Sequence, residues 1–169
     1  MDAAELRATQ APLKERYKSD PAAALITLRA SGSIAPEGIA CKVETGRALA
    51  VAGLHPATGG SGLELCSGDM LLEALVACAG VTLKSVATAT EVALKAGLVS
   101  AEGDLDFRGT LGVDKAAPVG FAAIRLRFDV DTEAPQDKLD LLLKLTERYC
   151  VVYQTIRNGP KVSVTLQRV

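Results

Sequence analysis

Histidine occurs once in these 169 residues, at His55, and the four cysteines, at positions 41, 66, 78 and 150, form no CxxC and no paired Cys/His spacing. A zinc site is therefore not expected, nor any other metal site. There is no GxGxxG after a strand, no GxxxxGK[ST] and no GxSxG, so nucleotide binding and serine hydrolysis lose their usual signatures. The 19 basic and 20 acidic side chains are interleaved, and the net charge of −1 leaves no polybasic run to meet phosphates. Nucleic acid is not an expected partner. The start of the chain is charged and lacks the apolar stretch of a secretory signal, and no uncharged run approaches the length that crosses a bilayer. The expectation is a soluble, cytoplasmic protein whose thiols stay reduced and whose disulfides, if any, are transient. With 49% hydrophobic residues the chain can build an ordinary core without crosslinks. No linker, low-complexity tract or internal repeat divides it, so one domain is expected over residues 1–169, with 1–20 as an N-terminal helical extension.

What is present reads as an α+β chain. A helix is expected from Ala3 to Lys18, closed by Asp20-Pro21, since the residue before a proline is driven from helical geometry. Ala23–Ala30 and Cys41–Val51 have strand character. His55-Pro56-Ala57-Thr58-Gly59-Gly60-Ser61-Gly62 reads as a flexible loop with His55 a solvated member. A long helix is expected from Ser67 to Ala96, with Gly97 placed to end it. Its stretch Ala74–Leu83 carries no charge on any face, which marks a helix enclosed by protein, and small residues at Ala74, Ala77, Ala79 and Gly80 admit a close neighbour or a second subunit. Strands follow near Leu98–Val113 and Val119–Thr132. The second points Ile124, Leu126, Phe128 and Val130 inward and Arg125, Arg127, Asp129 and Asp131 outward. A helix from Pro135 to Arg148, further helix over Val151–Asn158 and a closing strand through Val162, Val164 and Leu166 complete the chain.

Two cysteines occupy contrasting settings: Cys78 inside the uncharged helix and Cys150 at the end of an amphipathic one. Taken alone, Cys78 reads as a small buried hydrophobe. The run Ser67-Gly68-Asp69-Met70-Leu71-Leu72-Glu73-Ala74-Leu75-Val76-Ala77-Cys78, a polar helix start followed by a Leu/Ala-rich stretch ending in Ala-Cys, resembles the first cysteine motif of the OsmC/Ohr family. Glu147-Arg148-Tyr149-Cys150, with the helix and strand after it, resembles the family's second motif. The resemblance extends from about Ala23 to Leu166.

It implies an OsmC-like fold, in which antiparallel sheets wrap long buried central helices in an intertwined homodimer, and a thiol peroxidase reducing organic hydroperoxides in oxidative stress defence. Cys78 resembles the peroxidatic cysteine and Cys150 the resolving one. The pair needs no bound cofactor, only an external dithiol or lipoyl-type reductant. A thiol buried in apolar surroundings needs help to ionise. Arg47, on an early strand, resembles the family arginine that gives it. The glutamate that orients that arginine has no counterpart ten residues before Cys78, where Gly68 stands; Asp69 and Glu73 are the nearest acids, and both also complement the helix dipole. A second departure is Val151, where many relatives have proline. Arg148, Tyr149 and Arg157 flank the second thiol, while Cys41 and Cys66 read as incidental. An alternative reading is an OsmC-like dimer that binds a small apolar ligand without peroxidase activity.

Overall fold

The computed structural model describes residues 3–34, 41–43, 52–63 and 65–168. Helix α1 (Ala3–Ser19) ends at Asp20, whose carboxylate accepts from the Ala22 N–H and opens a short 3-10 turn, Pro21–Ala24. Strands β1 (Leu25–Ile34) and β2 (Cys41–Val43) form an antiparallel pair, while the two-residue strands β3 (Ala52–Gly53) and β4 (Leu65–Cys66) make a small parallel one. Helix α2 (Ser67–Ala89) leads into β5 (Ala96–Asp106), a one-turn helix α3 (Phe107–Thr110), β6 (Phe121–Asp131) and the helices α4 (Gln136–Tyr149) and α5 (Val151–Asn158).

The main sheet is antiparallel throughout, in the order β2-β1-β5-β6. Its two faces follow from the period-2 alternation of the strands. Val99, Ala101 and Leu105 of β5 are buried on the inner face, level with half-buried Ile124, Leu126 and Phe128 of β6. Gly103 shares that face because a Cβ there would meet the Phe121 ring at 2.4 Å. On the outer face Thr27 donates to Asp104 at 2.7 Å, and Arg125 bridges Glu102 and Asp104. These exposed pairs contribute little stability, about 0–1 kcal/mol each.

Helix α2 lies on the inner face, packed against β1 and β5 on one side and α4 and α5 on the other. Leu72, Leu75, Val76, Ala79, Leu83, Val86 and Ala87, at helical spacing, are its buried stripe. Its 23 residues are long and apolar enough to cross a membrane by length and composition alone. The ten-residue uncharged stretch read from the sequence understates that length, but here the helix is the core of a folded sheet-and-helix domain. Enclosure is not complete: Ser67, Leu71, Ala74, Val81 and Ser85 form an exposed stripe that passes Cys78.

Three further expectations are corrected. Helix α2 stops at Ala89, seven residues early, because Glu91 turns to φ 55° and Val92 N–H returns to the Ala87 carbonyl at 2.8 Å. Gly97 lies inside β5 instead. The His55–Gly62 loop is anchored rather than loose. Pro56–Thr58 is a 3-10 turn, the buried Tyr17 hydroxyl donates to the Ala57 carbonyl at 2.7 Å, and the Gln10 amide donates to Thr58 O at 3.2 Å. Gly60 packs where any Cβ would strike the Leu54 carbonyl. Finally, among the described residues Lys161–Arg168 pairs with no strand, and Val162, Val164 and Leu166 are 79%, 89% and 98% exposed.

Candidate active site at the start of α5

Cys78 sits in the middle of α2 and Cys150 at the junction of α4 and α5, and the packing of α2 on both later helices brings the two thiols together. Cys150 caps both ends of that junction. Its N–H donates to Thr146 O at 2.9 Å, closing α4, and its carbonyl accepts from Gln154 N–H at 2.9 Å, opening α5. Both cysteines, like Cys66, are free thiols.

The two sulfurs are not equivalent. Burial pushes the Cys78 thiol up, but hydrogen bonds from the Val152 N–H, the Cys150 thiol, the Val151 N–H and the Thr82 hydroxyl outweigh it and hold the thiol below its ordinary value. The Thr82 hydroxyl also donates to the Cys78 carbonyl, at 2.7 Å, so its single proton is divided between sulfur and carbonyl. Cys150 is 1% exposed. Burial is the largest influence on it, and the neighbouring Cys78 adds to it, so that its thiol is pushed up to about 11 despite the Tyr153 and Val152 N–H groups. One sulfur is thus disposed to ionise and the other to stay protonated beside it. Among the described residues, the groups that favour the Cys78 thiolate are main-chain N–H, thiol and hydroxyl, and none is a cation. Arg47, the expected cation, lies outside the described residues.

Residues 60–165 match the family model described as OsmC-like protein. The chain belongs to the OsmC-like family. No curated protein matches it. The mixed helices and antiparallel sheet are those expected of an α+β OsmC-like fold, a family that includes peroxidase-like members.

In this OsmC-like chain Asp69 and His55 feel each other's charge. Burial pulls the imidazole down and the Asp69 charge lifts it; burial likewise raises the Asp69 carboxyl and His55 lowers it. His55 is half-buried and stacked on Phe107, 4.9 Å between centroids, with Nδ1 accepting the Ala57 N–H at 3.0 Å. It is a packed residue, which corrects the solvated reading. Glu73 is half-buried on α2, one turn past Asp69. Cys66 precedes α2 and shares a cavity of about 400 Å³ with His55, Thr58, Leu71 and Phe107. Arg148 lies over the Tyr149 ring and Arg157 over Tyr153. Among the described residues no group of three His, Cys, Asp or Glu is arranged to hold a metal ion.

Sequence reasoning found both thiols but missed the donors. Main-chain N–H groups carry no residue signature, and the only trace of them is that residues 151–153 include no acid, no capping side chain and no proline.

Proposed function

We propose that this OsmC-like protein is a thiol-dependent peroxidase that reduces organic hydroperoxides to alcohols, with Cys78 as the peroxidatic and Cys150 as the resolving residue. The observation that carries this reading is the packing of α2 on α4 and α5, which puts two free thiols, Cys78 and Cys150, in one core cluster, with Cys78 held below its ordinary value and Cys150 raised by burial in support. The Cys78 thiolate attacks the terminal peroxide oxygen and the O–O bond breaks. Two electrons pass from sulfur to oxygen, leaving Cys78–SOH and an alkoxide that takes up a proton to leave as the alcohol. Cys150 then forms the S–S bond to Cys78 as the S–O bond breaks, and its thiol proton leaves with the hydroxyl as water. Cys150 gives up its proton as it attacks, and the leaving hydroxyl takes that proton up. An external dithiol or lipoyl-type reductant restores both thiols, with no bound cofactor, in a reducing cytoplasm.

The same reading includes a homodimer. Lys161–Arg168 alternates apolar and polar residues and is exposed throughout, β6 is an edge strand among the described strands of the sheet, and the stripe Leu71-Ala74-Val81 beside Cys78 is exposed. A second copy of the chain would satisfy all three. Arg47, Asp69 and Glu73 stand as supporting residues of the proposed site.

A second reading, a small-ligand-binding dimer without peroxidase activity, is favoured by a cavity of about 540 Å³ between β6, α4 and α5. It is lined by Phe121, Ile124, Leu126, Phe128, Leu143 and Ile156, with Glu147 and Arg157 among its walls. Consumption of cumene hydroperoxide with dithiothreitol separates the two. Turnover in the wild type, abolished in Cys78→Ser, with a peroxide-dependent Cys78–Cys150 bridge read by mass spectrometry, supports the peroxidase. Absence of both turnover and bridge in the wild type removes it and leaves the ligand site.

A further inference from the structure

Cys150 stands where α4 gives way to α5, and its backbone, at φ −71° and ψ 106°, takes the chain out of the helix for one residue. The break leaves the carbonyls of Glu147, Arg148 and Tyr149 without the amide that a continuous helix would bring to each. One of them is recovered across the junction. The Gln154 side-chain amide donates to Glu147 O at 2.7 Å, while the Gln154 main-chain N–H donates to Cys150 O at 2.9 Å. The same side chain is held from behind, because Asn158 Nδ2 donates to Gln154 Oε1 at 2.8 Å and to Gln154 O at 3.0 Å. One residue therefore ties α5 both to Cys150 itself and to the last turn of α4. Apolar packing gives α5 little further support. None of its side chains is fully buried, and Val152, Tyr153 and Ile156 are only partly buried against the core. The outer side of the junction is a cleft of about 490 Å³ bordered by Arg148, Tyr149, Gln154, Thr155 and Asn158.

We propose that Gln154 is the positioning residue of the resolving thiol: its amide latches α5 to the last turn of α4 and so fixes Cys150 against Cys78 for disulfide formation. The role assigned to Cys150 rests on the peroxidase reading, whereas the latch itself rests on the hydrogen bonds across the junction. Cys78 arrives on α2, which packs against both α4 and α5, so the angle between those two helices decides where the Cys150 sulfur stands. An S–S bond of about 2.05 Å, with its narrow range of dihedral angles, forms only from a well-placed pair. Small displacements of a reacting group cost much of its rate. Gln154 acts on this through the main chain of Cys150 and not on a reacting atom. Its bond borders the cleft, where water can take the place of a lost donor, so removing it loosens the junction without leaving a dry, unpaired carbonyl.

The test compares Gln154→Met, which keeps the length of the side chain and removes its amide, with Asn158→Ala, which removes the support behind it. In glutathione buffers the two thiols pass two electrons and two protons to glutathione disulfide, giving the Cys78–Cys150 bridge and two glutathione thiols. The equilibrium constant, read on the bridged peptide by mass spectrometry, reports how well the pair is placed with no peroxide present. It should fall about fivefold in Gln154→Met and by less, in the same direction, in Asn158→Ala. Constants equal to the wild-type value in both variants overturn the proposal, and so does a wild type that forms no bridge in these buffers. A kinetic readout separates positioning from support of the fold alone. In a single turnover with cumene hydroperoxide and dimedone, Gln154→Met should raise the ratio of Cys78 dimedone adduct to bridge about fivefold while sulfenic acid forms at the wild-type rate. Equal slowing of both steps overturns the positioning role. A wild type that forms the bridge in glutathione more readily than Gln154→Met, yet gives neither adduct nor bridge with hydroperoxide, retains the latch and loses the peroxidase.

Discussion

The first turn of α2 carries its own acid, Asp69, with His55 packed close by, whereas the first turn of α5 has neither acid nor side-chain cap and is met by Cys78 and Cys150. Both helix starts present a partial positive charge and unpaired N–H groups. Helix α2 also has no side-chain cap hydrogen bond, but Asp69 supplies negative charge in its first turn. At α5 the demand is met from 72 residues away (150 − 78), by a sulfur that gains acidity in the exchange. A helix start with no acid of its own can thus be used to tune a group delivered by another element.

The contrast breaks most severely if α2 no longer holds Cys78 against α5. Leu75, 1% exposed and one turn before Cys78, is part of that contact. Leu75→Ala should cost about 3 kcal/mol in chemical denaturation, and the alkylation midpoint of Cys78 should move up toward an ordinary thiol. A smaller change acts at the other end only. Tyr17→Phe removes the hydroxyl that donates to Ala57 O, at a cost of about 1–2 kcal/mol. Hydrogen exchange of the 55–60 loop should quicken while the Cys78 midpoint holds; a shift at Cys78 would mean that the two helix starts are coupled.

A subtler test is Asp69→Asn. With the neighbouring charge gone, only burial acts on His55, so its NMR titration midpoint should fall further. If the midpoint of Cys78 moves instead, Asp69 serves the thiol and the contrast dissolves. The smallest effect expected is on stability against pH. Cys78, depressed in the folded state, stabilises it above the unfolded thiol value, and that contribution is lost as pH falls through the folded one. Cys150, raised in the folded state, stabilises it below the unfolded value, and that contribution is lost as pH climbs toward about 11. Urea midpoints should therefore fall as alkaline pH approaches 11, less steeply in Cys150→Ser than in the wild type.

Much of the architecture was legible in the residues. The alternation of β6 matches its burial pattern residue by residue, Asp20-Pro21 closes α1, and Pro135 opens α4. The end of α2 was not, because Val86-Ala87-Thr88-Ala89-Thr90 is compatible with helix. What stops it is tertiary: the Thr132 hydroxyl donates to Ala93 O, and Lys95 N–H to Asp131 O, which draws residues 93–96 to β6. In the site, the two thiols were legible from their motifs and their mutual contact from the resemblance those motifs carry. Asp69 was read as the substitute for the glutamate that orients Arg47, but the charge acting on it is that of His55, on an anchored loop with no local signature. It depends on Tyr17 and Gln10, some 40 and 48 residues away from their acceptors.

The position of β1 bears on where this protein can be cut. Residues 60–165 carry the family match, yet of the four-stranded sheet that span holds only β5 and β6. The strand between β2 and β5, which lies against α2, comes from residues 25–34, and Tyr17 and Ala24 before it are fully packed into the core. A fragment beginning at residue 60 would expose one whole edge of β5 and the flank of α2 that β1 covers. The boundary of detectable kinship is therefore not a boundary of folding, and a shortened version for expression has to keep the chain from α1 onward.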